Sequence, residues 1–252
     1  MIELLILSLI QGVTEFIPVS SSSHLILISN YLNFNNQNLS IDVSLHIGSF
    51  FAVIFYFKND IFNFLHNRIL FLKILVASVP VMIAGYVLVK LDLIDQLRNI
   101  KIIGWATILF AILLFFSDKF KKTKIIDNNL SLKSVLFIGV FQILSLIPGV
   151  SRSGITITAG RFLEFKRVEA AKISFFLSIP TLAAVSFFGI NNLLETESLR
   201  FSLTNLLSIF LSFIFSLITI KYFLKYISKF SLSIFVIYRI VLGIIILIFS
   251  YL

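Results

Sequence analysis

Six stretches of this chain, at roughly 41–57, 71–89, 101–117, 172–190, 203–220 and 231–251, are almost wholly apolar. About 20 helical residues cross the hydrocarbon of a bilayer and about 17 is the lower limit, so all six qualify as membrane spans. Composition agrees. Of 252 residues 58% are hydrophobic and 13% charged, and the mean hydropathy is +1.03, which excludes an ordinary soluble domain. The lack of cysteine excludes disulfides and thiolate metal centres. A formal charge of +9 implies no nucleic-acid partner, because membrane proteins concentrate Lys and Arg in their cytoplasmic loops. The first ten residues have Glu3, no basic region and no small-residue cleavage site, so this segment is expected to be retained.

Two further apolar regions fail as simple spans. Residues 2–33 and 134–162 are each interrupted near the middle by proline and serine. The short apolar pieces on either side suit re-entrant helical hairpins, and irregular backbone at membrane depth survives only where protein or a cavity surrounds it. Both interruptions are polar islands. The first, Gln11 to His24, holds Glu15, Pro18, the serines Ser20 to Ser23, and His24; the second, Pro148 to Gly154, holds Ser151, Arg152 and Ser153. An ionised side chain in lipid is costly unless partnered, so Glu15 and Arg152 mark function.

Loop charges orient the chain. The loops 58–73, 118–133, 161–172 and 221–229 carry fifteen Lys and Arg between them, against Lys90, Arg98, Lys101 and Arg200 at the other ends. That bias makes the first group cytoplasmic and both termini external. The first broken segment then enters and leaves on the outer face, and the second, between Lys133 and Arg161, on the cytoplasmic face. Each half is one hairpin followed by three crossings, and an odd number of crossings inserts the second half upside down. The expected fold is an all-α integral membrane protein of six transmembrane helices plus two re-entrant helical hairpins in an inverted-topology repeat. Residues 1–117 form the first repeat, 118–133 a solvated cytoplasmic linker, and 134–252 the second repeat.

A helix that begins just after a Pro-x-Ser turn presents unpaired N–H groups and the positive end of its dipole, which makes an anion site. Two such starts, with hydroxyls from Ser20, Ser21, Ser151 and Ser153 and the fixed charge of Arg152, form a cradle for phosphate. The same serines would serve equally as helix caps, and Arg152 as a structural partner of Glu15. Gln11 and Glu15 are four apart and share a helical face, where the carboxylate suits a general base or an oxygen ligand of a hard divalent cation. His24 follows Ser21 by three residues, a spacing that lets the imidazole take the serine proton. His46, near Asp42 and Gly48, reads as supporting, and Arg239 in the last crossing as structural.

These residues resemble the undecaprenyl-diphosphatases of the bacitracin-resistance type over essentially the whole chain. One signature of that family is matched by Gln11, Glu15, Pro18, Ser20, Ser21 and His24, with Ser22 and Ser23 standing where Thr and Gly are common. The other, Pro-Gly-x-Ser-Arg-Ser-Gly followed by Thr, is matched by Pro148, Gly149, Ser151, Arg152, Ser153, Gly154 and Thr156. Further similarities lie at Asp42 to Gly48, from Glu169 to Thr181, and at Tyr238 and Arg239.

The resemblance implies a phosphoric anhydride hydrolase that converts undecaprenyl diphosphate to undecaprenyl phosphate and inorganic phosphate. Such an enzyme recycles the lipid carrier for peptidoglycan synthesis and confers bacitracin resistance. It implies a divalent cation, Mg2+ or Ca2+, a polyprenyl diphosphate substrate taken from among membrane lipids, and a bacterial inner-membrane site open to the periplasmic face. Arg152, with Ser151, Ser153 and Thr156 and flanked by Ser20 and Ser22, would bind the diphosphate. Ser21 would be the nucleophile, His24 its base or orienting group, and Glu15 and Gln11 the holders of the cation or a water. Whether a phospho-serine forms or Glu15 activates water directly stays open, as does the oligomeric state, a homodimer included. The competing class is a lipid-phosphate flippase or secondary transporter, for which inverted repeats with broken helices are the usual architecture.

Overall fold

The structure is a computed structural model that describes residues 1–32, 39–66, 68–91, 93–119, 123–195 and 203–251. Arg200, Lys121 and Lys122, which enter the charge bias, lie outside them. The first broken segment forms α1 (Ile2–Thr14) and α2 (Ser21–Leu32). Three long helices follow, α3 (Leu39–Tyr56), α5 (Arg68–Lys90) and α7 (Ile100–Asp118), with the short α4 (Lys58–His66) and α6 (Ile94–Leu97) between them. After α8 (Ile126–Asn129), the second broken segment forms α9 (Leu132–Ile143) and α10 (Arg152–Phe162). The chain closes with α11 (Arg167–Glu195), α12 (Leu203–Ile227) and α13 (Ser233–Tyr251). Among the described residues six helices, α3, α5, α7, α11, α12 and α13, are long and apolar enough to cross a membrane. They coincide with the six apolar runs, and both expected interruptions separate helices.

Two connecting regions differ from expectation. The loop 58–73 is largely helical, because Lys58, Asn59 and Asp60 open a turn that directs Ile61 onto the core while Phe62 stays exposed. The linker is pinned to the protein rather than solvated. Its Ile126 and Leu130 are buried, the backbone of Lys124 pairs with Glu164 and Lys166, and the Ile126 N–H donates to Glu169 Oε2 at 3.0 Å. At the end of α7 the Asp118 carboxylate receives Arg161 at 3.1 Å and Arg167 at 2.8 Å. Its other oxygen accepts the Leu232 N–H at 3.0 Å. A buried carboxylate holds its place only when its oxygens are satisfied, and here that requirement gathers α7, α10, α11 and the start of α13.

The helices pack around α3, which lies against both α11 and α12. α1 rests on α12, α9 on α5, α13 on α7, and α10 on α7, α9 and α11. Between lipid-facing helices apolar side chains gain nothing by meeting one another instead of acyl tails, so association depends on small residues and close packing. Gly12 of α1 touches Phe215 and Ser216 of α12, and Gly139 of α9 touches the Ala77 carbonyl of α5; neither contact leaves room for a Cβ. Along α12 the buried Ser208, Ser212 and Ser216 repeat every fourth residue, and Ser49 of α3 lies 3.2 and 3.0 Å from the last two hydroxyls. Beneath the first interruption Phe16 meets Phe175 edge-on, with ring centroids 5.4 Å apart, and so seals one side of the polar centre.

Candidate functional site

Both interruptions end in the same backbone device. Ser20 has φ +78° and Ser151 φ +71°, and each directly precedes a helix start, Ser21 for α2 and Arg152 for α10. The left-handed conformation costs a residue with a Cβ about 1–2 kcal/mol, and each turn is held by local bonds. Ser151 Oγ accepts the Gly154 N–H at 3.1 Å, a cap on α10, while Ser20 Oγ lies 3.0 Å from Ser23 Oγ.

The two turns are stitched together by Arg239. This fully buried guanidinium donates to the carbonyls of Gly149 and Val150 at 2.9 and 3.0 Å, and to that of Pro18 at 3.4 Å. It neither snorkels nor approaches the polar surface; it supplies donors to carbonyls that the interrupted helices leave open, which lipid cannot do. Ser153 adds a further cross-tie, donating to the Ile17 carbonyl at 2.8 Å.

Glu15 is the hub of the site. Its Oε1 receives Arg152 Nη2 at 2.7 Å, and its Oε2 accepts the Ser21 hydroxyl at 2.7 Å and Gln11 Nε2 at 3.0 Å. Of the residues expected around Arg152, Glu15 and Ser21 meet it here together with Gln11, residues 137 positions apart being joined, and His24 does not. Arg152 is steadied from behind, Nη1 donating to the Ser174 carbonyl at 3.3 Å. Ser21, which bonds Glu15, is half-buried, and its neighbour Ser22 is exposed, so this edge of the site reaches the surface.

Other expected residues lie differently. His24 turns away from Ser21: its Nδ1 donates to the Ser20 carbonyl at 2.7 Å, and its Nε2 accepts the Tyr238 hydroxyl at 2.6 Å. The left-handed turn at Ser20 leaves that carbonyl where the imidazole four residues on can reach it, so Ser21 pairs with Glu15 instead. Ser151, Ser153 and Thr156 are buried. Their hydroxyls are engaged within the protein, Thr156 Oγ1 lying 2.8 Å from the Arg152 carbonyl and 2.7 Å from Ser174 Oγ. They stand behind Arg152, whereas Ser21 and Ser22 stand in front.

The structure adds residues to the site that sequence reasoning left at its margin. His46 of α3 places Nδ1 3.0 Å from Gln11 Nε2 and 4.0 Å from Glu15 Oε2. Tyr238 stacks on His24 at 5.7 Å and 9°. The signal for His46 was a histidine beside Asp42 at the end of a span; for Tyr238 it was adjacency to a charged residue inside one. Neither identifies a partner.

A helical multi-pass membrane protein whose two interrupted segments join a carboxylate, a guanidinium and a serine hydroxyl is the class that this fold and site define. The chain matches the family described as bacitracin resistance protein BacA over residues 4–245, and it belongs to that family. It is similar to the undecaprenyl-diphosphatase of Pelagibacter ubique (strain HTCC1062), 48% identical over 99% of this chain and 98% of that protein. The undecaprenyl-diphosphatases of Jannaschia sp. (strain CCS1) and Roseobacter denitrificans are 36% and 34% identical, each covered over 98% of its length.

Proposed function

We propose that this protein hydrolyses undecaprenyl diphosphate to undecaprenyl phosphate and inorganic phosphate, the activity named for its relatives. The observation that carries the mechanism is the single carboxylate on which a nucleophile and a phosphate-binding cation meet, Ser21 Oγ and Arg152 Nη2 each 2.7 Å from Glu15. Arg152 retains N–H donors beyond its two protein bonds and receives the terminal phosphate. Ser21 Oγ attacks the phosphorus while its proton passes to Glu15 Oε2, and undecaprenyl phosphate leaves with the electrons of the broken P–O bond. The departing lipid phosphate takes the proton from Glu15. Water then attacks the phosphorus of the phospho-serine while the freed carboxylate accepts its proton and returns it to Ser21 Oγ, and phosphate is released. Buried Ser153 and Thr156 fix the turn that presents Arg152, and His24 fixes the turn that presents Ser21.

The divalent cation belongs with Glu15 and Gln11. These residues fit such a group, since Gln11 Oε1 is buried beside the carboxylate without a hydrogen-bond partner. A bound cation supplies positive charge that neutralises the phosphates.

The inverted repeat is supported by the helix pairings. Exchanging α1 with α9, α3 with α11, α5 with α12 and α7 with α13 turns the α1–α12 contact into the α9–α5 contact and α3–α12 into α11–α5. The α3–α11 and α7–α13 contacts map onto themselves. The charge bias of the loops favours an inner-membrane orientation with both termini and the site opening outside, where the carrier lipid is recycled.

Purified protein in detergent, given a polyprenyl diphosphate and a divalent salt, is expected to release inorganic phosphate in a colorimetric assay. No release would leave the flippase or transporter standing. Labelled phosphate trapped on the wild-type protein but not on Ser21→Ala supports the covalent route, and near-normal turnover of that variant would sink it.

A further inference from the structure

The two interruptions end in the same left-handed serine but hold it by different means. At Ser151 the turn is closed locally: its Oγ accepts the Gly154 N–H at 3.1 Å, and its carbonyl accepts the Ile155 N–H at 2.9 Å. At Ser20 the corresponding backbone bond, from the His24 N–H, is stretched to 3.4 Å, and the Ser20 hydroxyl pairs with those of Ser22 and Ser23. What grips the Ser20 carbonyl is the His24 ring, whose Nδ1 lies 2.7 Å from it. A carbonyl only accepts, so this bond needs the imidazole proton on Nδ1. In the neutral ring Nε2 is then an acceptor that wants a donor.

Tyr238 supplies that donor. Its hydroxyl lies 2.6 Å from Nε2, and its one hydrogen-bond partner among the described residues is His24. Tyr238 is 45% exposed, on a helix whose Ile234, Ile237 and Val241 face outward. A phenol beside lipid needs a partner for its hydroxyl, and this one finds it 214 positions away. The next residue, Arg239, donates to the Pro18 carbonyl. Consecutive residues of α13 therefore hold both ends of the turn, Pro18 directly and Ser20 through His24. Ser21, which follows at once, is the residue that bonds Glu15.

We infer that Tyr238 is a positioning residue for the reaction: by donating to His24 Nε2 it keeps the imidazole proton on Nδ1, and that proton fixes the Ser20 turn that aims Ser21 Oγ at Glu15. The consequence for rate rests on the proposed hydrolysis. The place of the proton does not.

The test uses purified full-length protein in detergent and Tyr238→Phe, which removes one oxygen and keeps the ring. With isotope-labelled histidine, proton–nitrogen correlation spectra of the wild type are expected to show His24, assigned by its loss in His24→Gln, as the Nδ1–H tautomer. In Tyr238→Phe that tautomer gives way to Nε2–H. Phosphate release from a polyprenyl diphosphate is expected to fall about tenfold in kcat with KM within twofold, since a misdirected nucleophile costs rate rather than binding. In a His24→Gln background Tyr238→Phe changes kcat less than twofold, because its effect passes through the ring. An Nε2–H tautomer in the wild type, near-normal kcat in Tyr238→Phe, or losses that multiply in the double variant overturns the assignment and spares the phosphatase. A wild type that releases no phosphate overturns the hydrolysis and this role together, so the two failures are told apart.

Discussion

Counted from the two left-handed serines, the interrupted segments run in register. Nine residues before Ser20 and Ser151 stand Gln11 and Gln142, five before stand Glu15 and Leu146, one after stand Ser21 and Arg152, and four after stand His24 and Ile155. The backbone device is shared and the chemistry is divided. The first segment carries the carboxylate, the serine that bonds it and the histidine; the second carries the guanidinium. Their glutamines show what that division costs. Gln11 finds Glu15 and His46, whereas Gln142 is fully buried with neither amide atom bonded, an arrangement that costs about 1–3 kcal/mol.

The comparison breaks first at its charges. Arg152→Ala is expected to slow phosphate release by about a hundred- to a thousandfold, the usual loss for a group that stabilises developing charge. Arg152→Lys recovers only part, because an ammonium lacks the planar fork. A loss below tenfold would make the second segment a scaffold. Glu15→Gln keeps the shape and removes the proton acceptor, and turnover should fall by about a hundredfold; normal turnover would move the base elsewhere.

The shared backbone is probed by stability. Arg239→Met strips donors from three carbonyls and should lower the unfolding free energy by about 3 kcal/mol or more, by the usual penalty for unpaired buried polar groups. Thermal unfolding in detergent reads this, and an unchanged melting temperature would remove the stitch. The smallest effect sharpens the contrast most. Gln142→Leu should leave turnover within twofold and raise stability by about 1 kcal/mol, since it deletes an unsatisfied amide. Gln11→Leu should instead weaken divalent-cation binding, read by titration.

The spans and both interruptions were legible because lipid enforces them: runs of 17 residues or more, and breaks where proline is followed by serine, leave few alternatives. Glu15 and Arg152 were legible for the same reason. What joined them was not. The partners of Arg239 are backbone carbonyls as many as 221 positions away, and a carbonyl carries no mark in the sequence. The spacing of Ser21 and His24 allowed them to pair, yet the φ of Ser20, invisible in a serine, sent the ring to Tyr238. The linker misled in another way: Lys119 and Lys124 announce solvent, while Asp118, Ile126 and Leu130 between and beside them are buried.

Arg239 carries one consequence further. It sits on α13, yet its two amino groups hold carbonyls in both segments, so three parts of the chain share a single pivot that admits no sliding. A carrier that opened its centre to each side in turn would have to shear those segments past one another and leave the three oxygens bare in a place without water. The proposed hydrolysis asks for no such shear, so a pivot of this kind suits a phosphatase better than a carrier.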